Sequence, residues 1–114
     1  MTAVGALVPE FAEQGVLVWF GENSPKELHD FSIIHSPDLA TRAPRVGDLV
    51  KINENQFNVL AVGSVAEENL INLGHLDLKA NGKMEAELPG DVNVEKVLLP
   101  QINVGDRLLV ISPK

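Results

Sequence analysis

Residues 62–75 read V-G-S-V-A-E-E-N-L-I-N-L-G-H, a short apolar-periodic run bracketed by the start and stop signals of a helix. Ser64 and Glu67 stand three apart. That is the spacing of a capping box, in which each side chain satisfies a backbone N–H of the first turn. Leu70, Ile71 and Leu73 supply the apolar stripe, and Gly74 is placed to end the helix in the left-handed conformation. The spacing predicts one short helix over 65–73, with strands on both sides. His75 falls at the first residue of the strand that follows. Helix N-termini attract anions, so Ser64 has an anion-binding reading beside the N-cap one. The two helix ends lie about 15 Å apart at 1.5 Å per residue, so one phosphate cannot contact both Ser64 and His75.

On the C-terminal side, residues 75–79 alternate, with Leu76 and Leu78 inward and His75, Asp77 and Lys79 outward. Met84, Ala86 and Leu88 alternate against Lys83, Glu85 and Glu87. This predicts a second strand, joined by a three-residue loop at Ala80–Gly82. That register sets Leu78 opposite Met84, Leu76 opposite Ala86 and His75 opposite Glu87. Pro89-Gly90 makes a turn. Residues 91–97 and 107–112 read as closing strands. V-G-D occurs at 46–48 and again at 104–106, each time before an apolar strand, which reads as repeated turn chemistry.

On the N-terminal side, residues 47–52 and 56–62 are strands joined at Asn53-Glu54-Asn55. Residues 16–20, V-L-V-W-F, are apolar throughout, as a strand buried on both faces is. Ahead of them, residues 4–14 carry no single pattern, though Pro9 could open a helical turn over 9–14 that Gly15 would close. Ser24-Pro25-Lys26-Glu27 is a second capping box, predicting about two helical turns to Asp30. Residues 31–35, F-S-I-I-H, form a strand with Phe31, Ile33 and His35 on one face. Pro37 ends pairing just beyond it, and 36–46 is a loop bounded by prolines. Many short strands with two short helices indicate an all-β domain, a small closed or partly closed barrel spanning residues 1–114.

The 114 residues suffice for one core without staples. The chain has no cysteine, which removes thiol catalysis and cysteine metal sites and fits a reducing compartment. A net charge of −7 argues against nucleic acid and anionic membrane surfaces as partners. No apolar run has membrane-spanning length, and the N-terminus does not read as a signal peptide. The expectation is a soluble cytosolic protein. Phosphate-binding glycine loops, the nucleophile elbow and the H-E-x-x-H pair are absent, so no cofactor or metal is expected. Of the three histidines, His29 reads as a solvated residue on the polar side of a short helix. His35 is either a core-edge residue satisfied by a carbonyl or a reactive group at a strand end. His75 is either functional or a cation stabilising a helix C-terminus. Lys83-Met84-Glu85 is half of the lysine motif of biotin-carrier hairpins, or an exposed hairpin lysine.

Residues 61–75 and 81–90, with F-S-I-I-H at 31–35 ahead of them, resemble the glucitol/sorbitol-specific enzyme IIA of the bacterial phosphotransferase system, from about Val4 to Ile111. The resemblance implies a cytoplasmic phosphocarrier. A histidine accepts a phosphoryl group from the carrier protein HPr and passes it to a cysteine of the IIB component of the glucitol transporter. Contact with the membrane is only through that transporter. The acceptor matches His35, and the histidine of the L-G-H match, His75, is cast as its partner. Family members carry a few more residues before the match to T-A-V-G at 2–5, which implies a shortened first strand here. Some place a second histidine where this chain has Pro37, so that position contributes nothing to transfer. Ile33, Ile34 and Pro37 would suit an apolar docking surface. A carrier domain modified at Lys83 and a non-catalytic binding barrel are the competing classes.

Overall fold

The structure, a computed structural model, describes residues 1–36 and 44–112. Its strands are β1 (Ala3–Val4), β2 (Val16–Gly21), β3 (Ile33–His35), β4 (Leu49–Ile52), β5 (Asn55–Val62), β6 (Leu76–Lys79), β7 (Asp91–Val94) and β8 (Leu108–Ile111). Helix α1 spans Val8–Glu13 and α2 spans Ala66–Leu73, and a 3₁₀ helix covers Lys26–Phe31. The strands form one sheet in the order β1-β3-β2-β6-β7-β5-β4-β8, curled into a half-barrel. Its two ends approach each other where Gly105 N–H donates to the Met1 carbonyl and the Met1 nitrogen donates to the Asp106 carbonyl. The expected all-β, partly closed barrel is therefore the observed architecture.

The alternating strands build the core. Trp19, Ile33, Leu76 and Leu78 are completely or almost completely buried on the inside, with Val50, Ile52, Phe57 and Val59 from the other half of the sheet. Side chains of this size each contribute about 1.5–3 kcal/mol on burial. β2 is buried on both faces, as its unbroken apolar run predicts, because it lies between β3 and β6 with α1 against it. The β4–β5 hairpin turns through Asn53 and Glu54, with Asn53 at φ 55. The two V-G-D turns are built alike. Asp48 Oδ2 accepts from Arg45 N–H, and Asp106 Oδ2 accepts from Asn103 N–H. The strands they precede, β4 and β8, then pair with each other.

Several expectations give way. Residues 83–88 form no strand, and the register that set His75 opposite Glu87 does not occur. β6 pairs in parallel with β7 instead, Leu78 aligning with Val92. A parallel pair needs a crossover, and 80–90 supplies it. That crossover is fastened to β7 by buried polar side chains. Asn93 Nδ2 donates to the carbonyls of Lys83 and Glu85, while Asp91 Oδ2 accepts from Leu88 N–H and Lys79 Nζ. Met84 and Leu88 stay exposed, so their alternation has no sheet behind it.

Neither capping box forms. Val65 is the N-cap of α2 and no side chain caps it. Val65 N–H is taken by the Pro89 carbonyl and Ala66 N–H by Gly63, while exposed Ser64 caps nothing. At the second box, Pro25 precedes a 3₁₀ helix, and Ser24 Oγ donates to the Gly21 carbonyl. Phe31 belongs to that 3₁₀ helix rather than to β3 and stacks on Phe11 of α1, ring centroids 5.7 Å apart. Ile33 and Ile34 are both buried, so they are core and not docking surface. Pro37 and most of the proline-bounded loop lie outside the described residues.

Candidate functional site

His35 is the last residue of β3, in register with Gly21, the last residue of the parallel neighbour β2. Two positions back, Ile33 and Trp19 point into the core, so His35 belongs to the same inward-facing set at the barrel's end. Helix α2 closes over this end. It buries Ala66 and Leu70 and stops at Gly74, whose φ of 63 is left-handed. Gly74 N–H donates to Leu70 O and His75 N–H to Asn69 O, satisfying the last turn. The Gly74 carbonyl is left facing His35, whose Nε2 lies 2.6 Å away.

Two glycines make this approach possible. A Cβ on Gly74 would lie 2.7 Å from Gly21 N, and one on Gly21 would lie 3.0 Å from the Leu73 carbonyl. Backbone therefore packs directly on backbone beside the imidazole. The sequence does not single out Gly21 as part of a site. Its signal, a glycine directly after a buried strand, has meaning only once Gly74 is seen beside it.

His35 borders two clefts. The first, about 460 Å³, is lined by Phe20, Gly21, Ser24, Leu28, Asn72 and Leu73 with His35. The second, about 480 Å³, lies between His35, Ser36, Leu70, Leu76, Arg107 and Leu108. Arg107 is exposed and brings positive charge to it from the far end of the chain, which no local pattern announces. Burial pushes the His35 imidazole below its ordinary pKa of 6.5; the Gly74 carbonyl opposes this and the N-terminal charge adds to it. The ring is held neutral at physiological pH, with a lone pair available for attack.

His75 lies at the same end of the sheet. Its ring stacks on Phe20, centroids 4.3 Å apart and planes within 6°. Its Nε2 lies 2.9 Å from Asp77 Oδ1, so its carboxylate partner is Asp77 and not Glu87. Glu87 is paired with Lys83 in the crossover, and the Lys83 ammonium holds that carboxylate below the usual range. Strand register separates the two histidines. Trp19 aligns with Leu76 on the inner face, so Phe20 and the His75 ring stacked on it are on the outer face. The structure brings the histidines to one end of the barrel but not to one face. Phe20, on which the His75 ring stacks, lines the first cleft together with His35.

His29 is half-buried rather than solvated, its Nε2 3.1 Å from Ser24 Oγ and 3.2 Å from the Ser24 carbonyl. Lys83 sits in the crossover without a hairpin around it, unlike the modified lysine of a swinging-arm carrier. Among the described residues no cluster of three His, Asp or Glu side chains could hold a metal. No helix among them is long and apolar enough to cross a membrane.

The family model for the PTS system glucitol/sorbitol-specific IIA component matches residues 1–109. The glucitol/sorbitol-specific EIIA components of Shigella flexneri and Escherichia coli are each 36% identical to this chain over 114 residues, all of this chain and 93% of theirs. The crystal structure of a PTS system IIA component from Enterococcus faecalis superposes with a TM-score of 0.80 at 25% identity, over 96% of this chain and 95% of that one.

Proposed function

Since this chain belongs to the glucitol/sorbitol-specific IIA family of the phosphotransferase system, we propose that residues 1–114 form a single phosphocarrier domain whose acceptor is His35. The phosphoryl group arrives from phospho-HPr and leaves to a cysteine of the IIB component, in the cytoplasm at the face of the glucitol transporter. The observation that carries this reading is the seat of His35. It is a desolvated imidazole with a lowered pKa, at a strand end, open to two clefts. A neutral imidazole is the form that attacks phosphorus.

Phosphoryl transfer asks little more of a protein than in-line placement and charge stabilisation. Arg107, on the cleft that His35 borders, supplies a cation for the phosphoryl oxygens. Exposed Leu73 and Ile71 on α2, the former lining the other cleft, offer apolar surface for a partner that must exclude water from a labile P–N bond. His75 acts at one remove. Stacked on Phe20 and tethered to Asp77, it fixes the wall of the first cleft.

The test is intact mass and radiolabel after incubation with phosphoenolpyruvate, enzyme I and HPr. The native chain gains one acid-labile phosphoryl group, and His35→Ala gains none while keeping its fold. Arg107→Gln and His75→Ala still accept the group, but more slowly. Label retained by His35→Ala sinks the assignment. A stable adduct on Lys83 points to the carrier-arm class instead, and no adduct at all to a binding barrel.

A further inference from the structure

The Gly74 carbonyl has no hydrogen to give. At 2.6 Å from His35 Nε2 it can only accept, so Nε2 carries the ring proton and Nδ1 the lone pair. We propose that Gly74 locks His35 in the Nε2–H tautomer and that the phosphoryl group is carried on Nδ1. This rests on His35 being the acceptor.

Sterics point the same way. Phosphorus on Nε2 would have to displace the Gly74 carbonyl, which α2 and Gly21 hold in place. Gly74 itself is buried, its nitrogen bonded to Leu70 O, with the Gly21 backbone against it. The end of α2 has nowhere to retreat on that side. Nδ1 is the nitrogen that this contact leaves open.

The transfer balances without moving a proton. The Nδ1 lone pair attacks the phosphorus of the donor phosphohistidine. The Nδ1–P bond forms as the donor N–P bond breaks, and that electron pair returns to the donor ring. The product ring holds the phosphoryl group on Nδ1 and its original hydrogen on Nε2, with positive charge spread between the nitrogens. The Gly74 carbonyl, at the negative end of α2, accepts from an N–H that becomes more acidic as transfer proceeds. On onward transfer to a thiolate, the N–P bond breaks and the neutral Nε2–H ring is restored. Gly74 is thus a positioning residue, acting through its main chain.

Long-range proton–nitrogen correlation spectra of the full chain, labelled in its histidine nitrogens, test this directly. His35 signals are assigned by their loss in His35→Gln. In the free protein, His35 should show a pyrrole-type Nε2 and a pyridine-type Nδ1. After phosphorylation through HPr, phosphorus coupling should appear on Nδ1. Coupling on Nε2, or a free ring protonated on Nδ1, overturns the inference while leaving His35 as acceptor. Coupling on His29 or His75 overturns the functional reading itself. Gly74→Ala gives a second readout. It should mix the two tautomer signatures and slow acceptance about tenfold or more, as expected for a misplaced reacting group. Unmixed signatures in a folded Gly74→Ala protein would show that another contact sets the tautomer.

Discussion

Replacing Gly74 by alanine perturbs two things at once, and the structure separates them. The first is backbone conformation. At φ 63 an L side chain is in the left-handed region, at a cost of about 1–2 kcal/mol. The second is contact. The new Cβ falls 2.7 Å from Gly21 N and 2.8 Å from Gly21 Cα, both backbone atoms that cannot rotate away. Forcing α2 and β2 apart to admit it costs about a further 1–3 kcal/mol. Together these make about 2–5 kcal/mol, a drop in Tm of roughly 10–20 °C for a chain of this size. Gly105→Ala is the control. Its φ of 93 is also left-handed, yet an added Cβ there meets nothing within 4 Å. It should show the conformational cost alone. Urea denaturation of both variants measures the two terms by difference. If Gly74→Ala costs no more than Gly105→Ala, the backbone packing beneath His35 is loose, and the argument that α2 pins the ring fails.

Three further outcomes follow from the same geometry. Ser64→Ala should change stability by less than about 0.5 kcal/mol, because exposed Ser64 caps nothing; a loss near 1 kcal/mol in thermal unfolding would restore the N-cap reading. Asn93→Ala should cost about 2–4 kcal/mol, since it strands the carbonyls of Lys83 and Glu85 and empties a fully buried site; a midpoint unchanged in urea would mean the crossover is not fastened there. As pH falls below 6.5, the unfolded chain takes up a proton that the buried His35 of the folded chain resists. Stability therefore falls until the lowered folded value is reached, and is independent of this group above about pH 7.5. The loss should be smaller in His35→Gln, and equal losses in both proteins would assign it elsewhere.

The sequence is most legible where local pattern and tertiary setting demand the same thing. The unbroken apolar run at 16–20 became the doubly buried β2, the 75–79 alternation became β6, and Gly74 ended α2 where its neighbours said it would. It misled where a distant backbone took over a local role. Ser64 had a capping box to complete, but Pro89, on the far side of the crossover, claimed Val65 N–H. Met84, Ala86 and Leu88 alternate as a strand does, yet β7 had already taken the edge of β6. The position of His35 at a strand end was readable from Pro37 and the apolar residues before it. What makes it a candidate site was not. The Gly74 carbonyl and the Gly21 backbone meet it, and Arg107 lines a cleft that it borders, all from other parts of the chain that no residue beside His35 signals.

The pairing of Asn93 and Asp91 with the 80–90 crossover bears on how this protein can be re-engineered. Viewed from outside, 83–88 is a solvent-facing segment with exposed Met84 and Leu88, the sort of place where tags, insertions and loops from relatives are commonly grafted. Its main-chain groups, however, are the hydrogen-bond complement of two polar side chains sealed within a strand. A foreign loop would take from Asn93 its two carbonyl partners and from Asp91 the Leu88 N–H, and a foreign strand would leave those loop groups without their complement. Chimaeras should therefore exchange residues 80–94 as one cassette, with the junctions placed just after β6 and just after β7.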